Sequence, residues 1–120
     1  MRIFTLSFIL AGFISATAIG QTTYVDNGTS TTYTLQTGDS LYIKQGTFTG
    51  AVNDWNNGGK VTVASGATFK PSGVNGYRSK YIIYGTAILP SLQTEQGFSL
   101  QNYGVITVNG GTQMNSGVQS

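Results

Sequence analysis

Cysteine and histidine are both absent from this 120-residue chain, proline occurs only twice, and 8% of the residues are charged. With no thiolate and no imidazole, disulfide staples, Cys/His metal sites and the common Ser/His and Cys/His nucleophile pairs are excluded. The acids are equally few: Asp26, Asp39, Asp54 and Glu95. A glycosidase places two carboxylates ~5 to 9.5 Å apart, and no paired-acid motif is present. A calcium site would take ~6 to 8 oxygen ligands, which one carboxylate among amides does not supply. No metal and no cofactor are expected. Nor is there any convincing amphipathic helix, so the fold must be held by strand pairing and packing.

Long apolar runs are also missing, apart from a short one at the start. Met1 and Arg2 form a positive region, Ile3 to Ile14 an apolar one, and Ser15 to Gly20 a run of small residues. That is the pattern of a secretory signal peptide over residues 1–20, with cleavage expected after Gly20 to leave Gln21 at the terminus. The apolar part is too short, and too interrupted by Thr5, Ser7 and Gly12, for the ~20 residues of a membrane span. Without the leader, Lys44, Lys60, Lys70, Arg78 and Lys80 face the four acids, and the net charge falls from +2 to +1. So near a balance, long-range attraction to nucleic acid or acidic membranes is not expected. The predicted location is secreted or on the outer cell surface.

What is present in quantity is glycine, 17 residues of it, and its placement organises the chain. The clearest unit is Val61 to Pro71, VTVASGATFKP: alternating Val61 and Val63, a small turn at Ser65–Gly66–Ala67, a second short apolar stretch ending at Phe69, then Pro71. The same punctuation recurs at Gly46, Gly66, Gly85 and Gly104, at intervals of 20, 19 and 19 residues, each preceded by alternating apolar residues. A second series, Gly38, Gly59, Gly76, Gly97 and Gly117, interleaves with the first. Two glycine series sharing a period near 20 predict an all-β parallel solenoid, or β-helix, with laps of about 20 residues. Residues 21–37 are expected to form an N-terminal cap or irregular first lap, and 38–120 the laps proper.

Each lap reads as two short strands around a corner: Ser40 to Phe48, Lys60 to Phe69, Lys80 to Leu89 and Phe98 to Val108. Inward residues should then form columns, with Val61, Val63 and Phe69 between Leu41, Ile43 and Phe48 on one side and Tyr81, Ile83 and Ile88 on the other. Counting back from the corner glycines gives an outer column of Gln45, Ser65, Tyr84 and Tyr103, in which the two tyrosines would stack. Asn115 to Val118 looks like the start of another lap. The last edge is therefore expected to be open, which implies either continuation into a longer protein or end-to-end self-association.

Laps such as GGKVTVASGATFKPSG and GDSLYIKQGTFTG, behind a leader ending AIGQ, resemble secreted bacterial β-solenoids, the right-handed parallel β-helix group of adhesin-like surface proteins. They also resemble proteins exported by type IX secretion in Gram-negative bacteria, though the C-terminal sorting domain of that group is not seen. The likeness covers about residues 38 to 117 and implies a structural or adhesive role at the cell surface, with no catalysis in this segment. The alternative is a carbohydrate-binding or carbohydrate-processing β-helix of the pectin-lyase-like kind. Arg78 and Lys80 are the only bases whose spacing suits such chemistry, and they read more simply as solvated loop charges. Candidate ligand-binding residues are Asn53, Asp54, Trp55 and Asn56, amides and an acid around the one tryptophan, together with Tyr84 and Tyr103. Trp55 itself reads first as a cover over the core and second as a sugar platform. The expected partner is an extracellular surface or polysaccharide.

Overall fold

The computed structural model describes residues 21–55, 59–92, 98–109, 112–114 and 117–119; the expected leader lies outside them. The described residues form short strands and no helix: β1 (Thr23–Asp26), β2 (Tyr33–Thr34), β3 (Ser40–Ile43), β4 (Thr47–Phe48), β5 (Ala51–Asn53), β6 (Lys60–Val63), β7 (Thr68–Phe69), β8 (Gly73–Asn75), β9 (Lys80–Ile83), β10 (Thr86–Leu89), β11 (Ser99–Asn102), β12 (Val105–Val108), β13 (Thr112–Met114) and β14 (Gly117–Gln119). They stack as a parallel β-solenoid of about four turns with about 19 residues per turn.

Three sheets make the walls. The first runs β1-β3-β6-β9-β11-β14, the second β13-β12-β10-β7-β4, and the third β2-β5-β8. In the first, Tyr24, Leu41, Val61, Tyr81 and Leu100 are successive register partners. The next inward column is Asp26, Ile43, Val63, Ile83 and Asn102. Strands so short are stable because each interior lap bonds to the laps on both sides. The ladder continues past the strand ends, as in Lys60 N–H to Asp39 O at 2.9 Å and Ala64 N–H to Ile43 O at 2.9 Å.

Leu41, Ile43, Phe48, Val61, Val63, Phe69, Tyr81 and Ile83 are all buried between the walls. Phe48 and Phe69 lie one lap apart with parallel rings, centroids 5.5 Å apart at 8°. Each such side chain contributes roughly 1.5–3 kcal/mol by leaving water, so the columns carry most of the stability.

Four expectations are corrected. The partner of Phe69 in the next lap is Ala87, not Ile88; Ile88 turns outward while Ala87 and Leu89 are buried. The reason is corner length: β6 and β7 are separated by four residues, β9 and β10 by two, so counting along the lap slips the phase. A lap also holds a third strand beyond the two expected around its corner. Its signal is the short repeat Ala51-Val52-Asn53 and Gly73-Val74-Asn75, whose residues pair in register. The tail does not begin another parallel lap, because β13 and β14 run antiparallel to β12 and β11. Lastly, the outer column holds Lys44 and Ala64 in place of Gln45 and Ser65, for the same reason of corner length. Lys44 N–H bonds to Asp26 O, Ala64 N–H to Ile43 O, Tyr84 N–H to Val63 O and Tyr103 N–H to Ile83 O, at 2.7–2.9 Å.

The corner glycines serve two different needs. Gly66 has φ +85 and open space around it, so its corner needs the left-handed backbone that glycine adopts freely. Gly104 is needed for closeness instead: a Cβ there would sit 2.0 Å from the carbonyl oxygen of Gly85.

Candidate functional site

The three described aspartates are buried, Asp54 completely. Each carboxylate is spent on backbone. Asp26 accepts from the N–H groups of Gly28 at 2.8 Å and Thr29 at 2.9 Å, from the Thr29 hydroxyl, and from Tyr33 Oη at 2.7 Å. Burial alone would raise its pKa, but these bonds to the ionised form outweigh it and hold the carboxyl below its usual range. Asp39 accepts from Thr22 N–H at 3.0 Å and Gln36 N–H at 2.9 Å. Carboxylates so enclosed act as pins for irregular turns. Glu95 lies outside the described residues.

Asp54 pins the corner between β8 and β9 from one lap away. Its Oδ2 accepts from Arg78 N–H at 3.2 Å, Ser79 N–H at 3.1 Å and Tyr81 Oη at 2.8 Å. Its Oδ1 is buried and has no hydrogen-bond partner in the structure. Burial and the neighbouring Asp54 charge push the Tyr81 hydroxyl well above its ordinary pKa, so Tyr81 remains a donor across the physiological range. Tyr77 beside it is buried with φ 51, and its hydroxyl bonds to Ser91 O. A tyrosine in the left-handed region is strained, and here the burial of its ring against Tyr81 and Phe98 offsets that strain.

The structure separates the sequence-derived candidates. Asn53 belongs to β5 and forms an external amide ladder, accepting from Asn75 Nδ2 at 2.6 Å and donating to Thr34 Oγ1 at 3.4 Å. Asp54 points inward. Trp55, read first as a core cover, is 55% exposed, which corrects that expectation: the corner beneath it is already filled by Asp54, Tyr77 and Tyr81. Its backbone is fixed, since a Cβ on Gly76 would lie 2.6 Å from Trp55 N. Asn56 lies outside the described residues. Arg78 and Lys80 do not share a strand face, because Arg78 sits in the corner before β9 and Lys80 opens that strand.

Tyr84 and Tyr103 do come together, at the corner that follows the first sheet. Their rings stack with centroids 5.2 Å apart at 12°, and they are 49% and 50% exposed. Tyr42, 37% exposed, stands on the outer face of the same sheet. Sequence reasoning missed Lys60 and Lys80 as a pair, which β6 and β9 hold as direct register partners on that face; their spacing of 20 residues was the available signal. Among the described residues no group of three acids or other metal-binding side chains converges, and no helix is long and apolar enough to cross a membrane. No protein-family model matches the chain, and no match was found among curated proteins or solved structures.

Proposed function

We propose that this chain is an adhesive β-solenoid, exported by its leader to the cell surface or beyond, which holds extracellular polysaccharide without processing it. The observation that carries this reading is the exposed Tyr84–Tyr103 stack on a rigid parallel wall. Exposed aromatic rings are the groups by which proteins grip sugar faces, and here the backbone beneath them is fixed by bonds to the preceding lap. The described carboxylates support a non-catalytic role, since each binds backbone N–H groups of its own or an adjoining turn. Trp55, exposed at the opposite corner, is a second contact for the same kind of ligand.

The test is a pull-down of the exported protein on a panel of insoluble and surface-coupled polysaccharides. The double substitution Tyr84→Ala, Tyr103→Ala is expected to abolish retention and leave the circular dichroism spectrum unchanged. Retention equal to wild type, or no retention of wild type on any polysaccharide, would sink the reading. Mass spectrometry of secreted material is expected to find Gln21 at the terminus; intact Met1 would overturn the export step.

A further inference from the structure

The near-neutral balance of the sequence conceals a separation that folding creates. Asp26, Asp39 and Asp54 are no more than 5% exposed, whereas Lys44, Lys60, Lys70 and Lys80 are all exposed. The described carboxylates go inside and the lysine amines stay outside. Three of the four amines, Lys44, Lys60 and Lys80, lie along the outer side of the first sheet, the side that also bears Tyr42, Tyr84 and Tyr103.

The outer column runs Lys44, Ala64, Tyr84, Tyr103, one residue per lap. On one face Tyr84 stacks on Tyr103 at 5.2 Å. On its other side the next residues along the column are Ala64, which packs against the core, and Lys44. A sugar ring laid on the exposed tyrosine stack would have Lys44 two laps away, about 9.6 Å at the usual strand spacing. Lys60 and Lys80 lie four residues back along their strands, about 13 Å away at the usual rise per residue.

We infer that this face binds an acidic polysaccharide, with sugar rings on the exposed Tyr84–Tyr103 stack and carboxylates of the same polymer on Lys44 and on the Lys60–Lys80 pair. This deepens the adhesive reading above and rests on it. A nucleic acid is the weaker fit. The column that holds Lys60 and Lys80 continues as Ser40 and Thr23 on one side and Ser99 on the other, so the amines form a pair and not the continuous cationic track that follows a phosphate backbone.

The experiment measures binding of the exported protein to alginate, to alginate whose carboxyl groups are converted to neutral esters, and to oligo-deoxythymidine. Alginate is expected to bind about tenfold more tightly than its ester, with the difference shrinking as salt rises. Lys60→Gln with Lys80→Gln removes the paired amines and is expected to lower affinity for alginate about tenfold, and not for the ester, at unchanged melting temperature. Should that variant fold poorly, Lys44→Gln is the second probe, and it is expected to lower affinity for alginate and not for the ester. Equal affinity for alginate and ester, undiminished binding by both variants, or tighter binding of the oligonucleotide would overturn the inference. If neutral polysaccharides are still retained through Tyr84 and Tyr103 while alginate is not, only this inference falls; if nothing is retained, the adhesive reading falls with it.

Discussion

The Asp54 corner and the Tyr84 corner stand at opposite ends of the first sheet and join laps by different means. At the first, Asp54 reaches residues 24 and 25 positions further along the chain, and its carboxylate gathers two N–H groups and a phenol. At the second, Tyr84 and Tyr103 are 19 residues apart, and backbone bonds run from lap to lap, with Val105 N–H to Gly85 O at 3.0 Å and Tyr103 N–H to Ile83 O at 2.7 Å, while the buried Asn102 Oδ1 accepts from Gly104 N–H at 3.0 Å within its own lap. The difference shows what irregularity costs. Where neighbouring laps differ in contour, their amides do not meet, and a buried side chain must satisfy them. Where the contour repeats, backbone bonds join the laps, and the tyrosine side chains are left for the surface.

Removing the pin is the harshest way to break that comparison. Asp54→Ala leaves the N–H groups of Arg78 and Ser79 and the Tyr81 hydroxyl without their acceptor, and it is expected to destabilise by roughly 3–5 kcal/mol, read from urea unfolding. A loss under about 1 kcal/mol would mean that the corner is not held by its carboxylate.

Gly104→Ala attacks the other corner through its backbone. The added Cβ would meet the Gly85 carbonyl at 2.0 Å, so the laps must part there, at an expected cost of about 1–3 kcal/mol. An unchanged melting temperature would show that this corner is looser than its hydrogen bonds imply.

A pH titration sharpens the contrast further. The folded-state pKa of Tyr81 is raised above its ordinary value of 10.0, so its contribution is fully present below pH 10 and is lost as pH climbs from there toward the folded value. Tyr33 and Tyr77 are shifted in the same direction. Unfolding free energy is therefore expected to decline above pH 10, and Tyr81→Phe to lessen the slope. A slope unaltered in that variant would place the alkaline sensitivity elsewhere.

The smallest effect belongs to Trp55→Ala. An indole 55% exposed over a corner filled by other side chains is expected to shift stability by no more than about 0.5 kcal/mol while weakening retention on polysaccharide. Destabilisation by several kcal/mol would restore the view of Trp55 as a lid on the core.

Much of this was legible in the sequence, and the rest was hidden for identifiable reasons. Val61 and Val63 advertise an inward face by alternation, and their register with Leu41, Ile43, Tyr81 and Ile83 followed from the period. The third sheet was obscured because its strands are two or three residues long and only β5 holds a buried apolar residue, Val52 between Ala51 and Asn53, which is too little for alternation to show. Asp54 was legible as a special residue but not as a buried one, since its partners are backbone groups of another lap and backbone groups leave no mark in composition. Tyr84 and Tyr103 were placed correctly because their corners have equal length. Lys44 and Ala64 were missed because theirs do not.

That last point reaches beyond registration. The inner columns, and the outer residue that directly follows each strand of the first sheet, are set strand against strand, while the residues at the tip of each corner depend on how many the corner holds. A one-residue insertion or deletion at the exposed tip Ser65–Gly66 would leave the hydrophobic interior in place and change what that corner shows. In such an architecture, small changes of length are a route to new surfaces that substitution would reach only position by position, and the core need not take part.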